Sequence, residues 1–354
     1  MGTLLPLSGE PAALRASLEA LPRLRLAHLP TPLLKVRALD DRLGCDVWIK
    51  RDDATAGAEA GNKIRKLELL LADALARGCD TVITCGGVQS NHARATALLA
   101  ARLGLRCVLL LRVSDVAEPL PKTGNVLLDL LAGADIRRIT ADEYRARDQR
   151  MYDVAQSLAI AGRKPYVIPE GGSNGLGAIG YVLAMRELRG QIDAGLAGNA
   201  PKDRPFDVIA HACGSGGTAA GVLLGAHTYR IAARAIAFAV CDDAATFSRR
   251  IAGIARDACA IVPSLDAAQT PHVDDHARGP AYGVASDEQR ALLADIARTS
   301  GVVLDPVYTG KAMHGLALAV RRGDVALGSR VLFIHTGGLP GLLAAGDAFD
   351  DLRG

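Results

Sequence analysis

Lys63, Arg65 and Lys66 stand together where the run Gly61-Asn62-Lys63-Ile64-Arg65-Lys66-Leu67-Glu68 starts to read as a helix. Ile64, Leu67, Leu71 and Leu75 give that helix an apolar stripe at helical spacing, and Asn62 is its candidate N-cap. Each cation in a first helical turn opposes the helix dipole by about 0.3–1 kcal/mol, so the pattern asks for an anion. A phosphate meets that need, because a helix N-terminus also offers free backbone N–H groups. Lys63 and Lys66 share a helix face, which lets one amine act on a carbon while the other holds a phosphate. The competing reading is a solvated basic turn with Asp52 and Asp53 as counter-ions. Taken alone, the two readings weigh about equally.

Four further runs gather polar groups after strand-like segments. Cys85-Gly86-Gly87-Val88-Gln89-Ser90-Asn91-His92 brings amides and a hydroxyl to a helix start, which suits a carboxylate. A plain N-cap at Ser90 or Asn91 is the commoner use of such residues. Cys213-Gly214-Ser215-Gly216-Gly217-Thr218 follows an apolar strand and opens a helix. Its glycines let successive N–H groups face one phosphate, with hydroxyls from Ser215 and Thr218 beside them. The same run, continued to Ala219, fits the dinucleotide pattern G-x-G-x-x-A, with Asp242 as the ribose acid. Ser215 as a hydrolase nucleophile is disfavoured, since Cys213 stands where that elbow needs glycine. Asp305-Pro306-Val307-Tyr308-Thr309-Gly310-Lys311 reads as a fixed turn whose Tyr308 either shuttles a proton or packs on the core. In Phe333-Ile334-His335-Thr336-Gly337-Gly338, Thr336 ends the last buried strand and His335 reads as a satisfied core histidine.

The elements that would position these groups alternate along the chain. Short β-rich runs at residues 47–50, 81–85, 106–112, 136–139, 166–169, 208–213, 236–241 and 331–335 alternate with amphipathic stretches at 93–103, 123–132, 144–161, 177–188, 218–226 and 287–299. That rhythm predicts an α/β chain with open, mostly parallel twisted sheets and helices on both faces. Paired glycines after four of the strands mark the carboxyl edge where ligands gather. Residues 195–205 read as a loop at a boundary, and 271–283 as an irregular segment ending in Tyr282-Gly283. The expected division is a large domain of residues 1–63 and 174–354 and a small domain of residues 64–173.

With 354 residues the chain can bury a large core, and its 41 basic against 38 acidic residues, scattered rather than blocked, argue against a nucleic-acid partner. Seven cysteines without paired spacing read as reduced thiols of a cytoplasmic protein. His272 and His276 lie in a loop-like segment, so a metal site has little support. No run approaches a membrane span and residues 1–21 lack a secretory pattern, which predicts a soluble, unprocessed protein.

Taken in order, five of these motifs resemble the pyridoxal-phosphate enzymes of the tryptophan synthase β-like fold (fold type II), in the branch of D-cysteine desulfhydrase and 1-aminocyclopropane-1-carboxylate deaminase. They are residues 61–68, 87–92, 166–174 with Gly171-Gly172-Ser173-Asn174, 305–311, and 335–338. The resemblance implies pyridoxal 5'-phosphate as cofactor, its Schiff base on Lys63 and a phosphate contact from Lys66. It implies that Asn91 meets the cofactor ring oxygen, that Ser90 with Gln89 holds the substrate carboxylate, and that Gly214, Ser215, Gly216, Gly217 and Thr218 bind the phosphate. Thr336 would lie near the pyridine nitrogen, and Tyr282 and Tyr308 match the family's active-site tyrosines. Deaminases of the branch carry Glu and Leu where this chain has Thr309 and Thr336, and the Thr/Thr pair resembles the desulfhydrases. The implied activity is β-elimination from a small amino acid, D-cysteine first, by a homodimer. The deaminase and an L-cysteate sulfo-lyase remain as alternatives on the same scaffold, and a nicotinamide oxidoreductase as the alternative of another class. One departure stands out: Glu59-Ala60 precedes Gly61 where the family usually has a second glycine.

Overall fold

The computed structural model describes residues 6–350. Its strands are β1 (Leu33–Lys35), β2 (Asp46–Lys50), β3 (Thr81–Gly87), β4 (Arg106–Arg112), β5 (Asp135–Ile139), β6 (Pro165–Val167), β7 (Phe206–Cys213), β8 (Ala232–Ala239), β9 (His272–Asp274) and β10 (Arg330–Ile334). They form a six-stranded sheet of order β1-β2-β10-β7-β8-β9 and a four-stranded sheet of order β5-β4-β3-β6. Every neighbouring pair is parallel except β1 with β2.

Side-chain alternation along the strands builds a core on each face of each sheet. On β7, Ile209 and Cys213 join a cluster with the helices Gly175–Asp193, Gly217–Thr228 and Ala244–Ile261, while Val208, Ala210 and Ala212 join another with Asp287–Ser300 and Thr309–Arg321. On the smaller sheet, Val82 and Leu109 pack on the helices Lys63–Ala76 and Asn91–Arg102, whereas Ile83, Cys85 and Leu110 meet Tyr144 and Met151. Truncating any one of these buried leucines or isoleucines to Ala costs about 2–5 kcal/mol.

Several elements depart from the sequence expectation. The helix expected over 144–161 is two, Ala141–Arg145 and Arg147–Ile160, because a capping box between Thr140 and Glu143 starts a helix early and Ala146 leaves helical geometry. β8 begins before 236, in an alanine-rich stretch without the β-branched residues that mark strands. The segment 305–311 is not only a turn: Gly310 and Lys311 already belong to the helix Thr309–Arg321. β1 and β9, of three residues each, are too short to show a pattern, while the helix Ala244–Ile261 carries an apolar stripe of Phe247, Ile251, Ile254, Ala255 and Ala258 that the sequence expectation does not include.

Candidate active site

The carboxyl ends of β3, β4, β7, β8 and β10 converge on a cavity of about 430 Å³ lined by groups from both sheets. The four-stranded sheet and its helices contribute Gly86, Gly87, Ser90, Asn91, His92, Arg112, Tyr144, Arg147 and Glu170. The six-stranded sheet and its loops contribute Cys213, Gly214, Ser215, Gly216, Thr218, Asp242, Arg250, Tyr282, Tyr308 and Thr336, with Asn62 and Lys63 between the two sets.

The three cations of the basic turn separate into three environments. Arg65 is buried and takes Asp52 in a two-bond fork, Nε to Oδ2 and Nη2 to Oδ1, each at 2.8 Å, and reaches Glu187 at 3.0 Å. Thr31 and Tyr181 complete that cluster, with Tyr181 donating to Asp52 Oδ2 at 2.5 Å. Burial pushes the Asp52 carboxyl up, but the Arg65 guanidinium more than reverses this and holds it below the usual range. Of the two aspartates expected as counter-ions, Asp52 therefore serves Arg65, while Asp53 is taken by Arg51.

Lys63 is the one of the three that faces the cavity. Its amine donates to Asn62 Oδ1 at 3.0 Å and lies 5.9 Å from the centre of the Tyr308 ring. Burial lowers its pKa to about 8, against an opposing pull from Asp305. A nucleophilic amine needs this shift toward the neutral form. The loop ahead of it is anchored: Asn62 N–H donates to Thr336 O at 3.1 Å, and Arg94 donates to Ala58 O and, at 2.7 Å, to Ala60 O. Glu59 pairs with Arg102 at 3.7 Å, and neither Glu59 nor Ala60 lines the cavity. Asn62 makes no side-chain cap; its amide donates instead to Thr218 Oγ1 at 3.0 Å, joining the lysine turn to the glycine loop.

Lys66 stands behind the cavity wall. Its ammonium donates to Gly171 O at 3.0 Å and Ser173 Oγ at 3.3 Å, and burial, then Lys63, holds its pKa well below the ordinary lysine value. Ser173 carries the connection onward, with its Oγ 2.8 Å from Ser215 Oγ and 3.2 Å from the Gly217 N–H. Gly217 must be glycine here, since a Cβ would come within 2.8 Å of Ser173 Cα and 2.9 Å of Lys66 Nζ. Gly217 itself does not line the cavity. Gly216, at φ +92°, turns the chain into the helix Gly217–Thr228. The N–H groups of Ser215, Thr218 and Ala219 make no hydrogen bond among the described residues, and all three residues line the cavity. Unpaired donors at a helix N-terminus are the setting for a phosphate.

On the facing wall, Ser90 caps the helix Asn91–Arg102 by accepting from Ala93 N–H at 3.2 Å, which leaves its hydroxyl hydrogen for a ligand. The cap and a binding role are therefore compatible. Asn91 Oδ1 accepts from Asn125 at 3.1 Å, leaving its amide N–H groups for the cavity. Gln89 is not brought in: its side chain donates to Thr123 O at 3.1 Å and accepts from Asn125 N–H at 2.8 Å. Thr309 is likewise withheld, because its hydroxyl donates to Asp305 Oδ1 at 2.7 Å and accepts the Asp305 N–H at 2.8 Å. Asp305 fixes the next turn as well, accepting from Tyr308 N–H at 2.9 Å. His335 sits in the core with Val303 O 2.9 Å from Nε2.

Tyr282 and Tyr308 meet hydroxyl to hydroxyl at 2.6 Å, with their rings edge to face. Burial pushes Tyr282 up to about 12, and burial together with Tyr282 raises Tyr308 well above the ordinary value, so both are protonated at neutral pH. One hydroxyl donates to the other, and the second keeps a proton for the cavity. Lys311 ties down the Tyr282 loop from behind by donating to Arg278 O at 2.6 Å and Ala281 O at 2.8 Å.

Arg112, Tyr144, Arg147 and Glu170 line the cavity without having been singled out in the sequence. Tyr144 donates to Glu170 Oε1 at 2.6 Å and Arg147 lies 3.1 Å from Glu170 Oε2. The signal available was a charged residue closing an apolar strand, as Arg112 does, and an acid placed before paired glycines, as Glu170 is.

These groups fit the cofactor that the resemblance implies. A phosphate has the unpaired donors of the glycine loop, an aldehyde has an amine shifted toward its neutral form, and a ring oxygen has the Asn91 amide. The family model described as pyridoxal-phosphate dependent enzyme matches residues 24–337. A bifunctional D-cysteine desulfhydrase/1-aminocyclopropane-1-carboxylate deaminase, mitochondrial, from Arabidopsis thaliana is 41% identical, over 93% of this chain and 81% of the relative. A D-cysteine desulfhydrase from Yersinia pestis (strain Pestoides F) is 39% identical, over 94% of this chain and 98% of its own length. The crystal structure of an ACC deaminase homologue superposes with a TM-score of 0.85 at 36% identity, covering 97% of this chain and 99% of the other. A match that runs from before the first strand to the glycines after the last one shows that the chain belongs to the pyridoxal-phosphate dependent enzymes.

Proposed function

We propose that this enzyme is a β-eliminating lyase of small amino acids, converting D-cysteine and water to pyruvate, ammonia and hydrogen sulfide. The observation that carries the reading is the facing pair formed by the Lys63 amine and the Tyr308 ring, 5.9 Å apart, with a second tyrosine hydroxyl 2.6 Å from the Tyr308 hydroxyl. Pyridoxal phosphate, when bound, supplies the electron sink that lets a proton leave the substrate α-carbon. The chain's own residues do the rest. Lys63 would hold the cofactor through its amine, and Lys63 Nζ is the group placed to accept the α-proton. Tyr308 Oη, backed by Tyr282, delivers a proton to the departing sulfur. Ser90 Oγ and the Asn91 amide orient the substrate carboxylate and cofactor, and the Ser215–Ala219 turn holds the phosphate, with Lys66 and Ser173 supporting it from behind.

The choice of D-cysteine over the cyclopropane acid is supported by position 309, where the chain has no carboxylate and the threonine hydroxyl is taken up by Asp305. The Arabidopsis relative's two named activities keep the deaminase as the second reading. Purified holoenzyme given D-cysteine, L-cysteine, L-cysteate and 1-aminocyclopropane-1-carboxylate tests the proposal. Sulfide and pyruvate should appear in equal amounts from D-cysteine; product from the cyclopropane acid alone would overturn it.

The proposal extends to organisation. Residues 64–173, which hold β3–β6, act as the small domain, and residues 1–63 and 174–354 as the large one. We place the enzyme in the cytoplasm as a homodimer. Seven free cysteines favour a reducing compartment. Exposed Leu131, Leu339 and Leu343, on helices that pack together, favour a self-association face. Light scattering on the eluted enzyme should give twice the chain mass, and a monomer at micromolar concentration would contradict the dimer.

A further inference from the structure

Arg112 ends β4 on the carboxyl edge of the smaller sheet, directly after the buried run Cys107–Leu111, and it lines the cavity. Its guanidinium carbon lies 5.0 Å from the centre of the Tyr144 ring and 5.2 Å from that of Tyr282. It forms no hydrogen bond and no ion pair among the described residues. The other cavity arginines are all engaged: Arg147 with Glu170, Arg250 with Asp242, and Arg145 with Asp142. Contact with two aromatic rings uses the guanidinium's attraction for their faces while its N–H groups stay available. A fixed planar donor of this kind selects a carboxylate, sulfonate or similar anion.

The anions already provided for do not need it. The phosphate has the Ser215–Ala219 turn, and the substrate carboxylate has Ser90. The contacts run in order from Lys63 to Tyr308, from Tyr308 to Tyr282, and from Tyr282 to Arg112, which puts Arg112 at the opposite end of the tyrosine pair from the reacting amine. A group bound there belongs to the far end of the substrate.

We infer that Arg112 is a specificity-determining residue that extends the substrate range beyond D-cysteine, whose thiol is no such anion, by binding a second anionic group, sulfonate or carboxylate, on the side chain of an amino-acid substrate. The inference rests on the proposal that the cavity takes an amino acid. It is tested by titrating holoenzyme with both enantiomers of cysteate, aspartate and asparagine and following the visible absorption of the bound cofactor. At least one enantiomer of cysteate or aspartate should bind roughly 10- to 100-fold more tightly than the matching asparagine, the range expected for a charge-assisted hydrogen bond. In Arg112→Gln that ratio should collapse toward one, and in Arg112→Lys, which keeps the charge without the fork, part of it should survive. Retention of the cofactor band shows that each variant is folded. Wild-type binding of asparagine as tight as that of the two diacids overturns the inference alone, as does an Arg112→Gln variant that weakens all three ligands equally. Silence of the band toward every amino acid overturns the parent proposal and this one with it.

Discussion

In enzyme stripped of cofactor, Lys63 should react with an acylating reagent as an amine of pKa about 8, the value to which burial lowers it against the opposing pull of Asp305. At pH 7 this leaves roughly one amine in ten neutral, against roughly one in 2,500 for an ordinary lysine of pKa about 10.4. Lys63 should therefore label about 200-fold faster than a free lysine of equal accessibility at that pH. The sign follows from the neutral form being the nucleophile: labelling rises with pH, inflects near 8 and levels off above about 9, while ordinary lysines keep rising. Competitive acetylation with isotopic acetic anhydride between pH 6 and 10, followed by peptide mass spectrometry, reads the curve for each lysine in one experiment. Asp305→Asn removes the largest influence that raises the Lys63 value, so its inflection should move to lower pH. A Lys63 curve with no inflection below pH 10, or an Asp305→Asn shift to higher pH, would show that burial and Asp305 do not set the basicity of this amine.

Arg65→Met strips Asp52 and Glu187 of their shared partner and should destabilise the protein by about 3–5 kcal/mol, seen as a lower urea midpoint with an unchanged slope. Gly216→Ala places a side chain at φ +92° in the glycine turn after β7, the proposed phosphate site; at about 1–2 kcal/mol of strain, cofactor affinity measured by equilibrium dialysis should weaken roughly tenfold. Tyr308→Phe should lower kcat by about 10²–10⁴-fold with a smaller effect on KM, and Tyr282→Phe should cost less because Tyr308 keeps its hydroxyl. Equal losses in the two variants would contradict that assignment of the delivering group.

The α/β rhythm was legible because parallel strands buried on both faces read as short apolar runs, and glycine pairs mark their carboxyl edges, although β6 and β8 end two residues before the runs that foretell them. The basic turn was legible as an anomaly, and the structure explains it in three ways rather than one: Lys63 in the cavity, Lys66 supporting the loop, and Arg65 in a buried ion cluster. What sequence cannot carry is the direction of a side chain. Gln89 and Thr309 sit one residue from Ser90 and Tyr308, yet their polar atoms are used up by Thr123, Asn125 and Asp305. Asn62 has the residue type of an N-cap and instead bonds to Thr218 on the glycine loop. Arg112 was hidden for the opposite reason, since one charged residue at the end of a strand means little until two tyrosines from distant segments are seen to flank it.

On the proposed reading Lys63, and not another buried amine, holds the cofactor. Lys66 and Lys311 are the competitors, since burial lowers the pKa of both and each lies in one of the motifs that match the family. Borohydride reduction of the holoenzyme followed by peptide mapping decides among them. A single phosphopyridoxyl mass increment is expected on the peptide that carries Lys63, and none on any peptide of Lys63→Ala. An increment on Lys66 or Lys311 in the wild-type enzyme would contradict it.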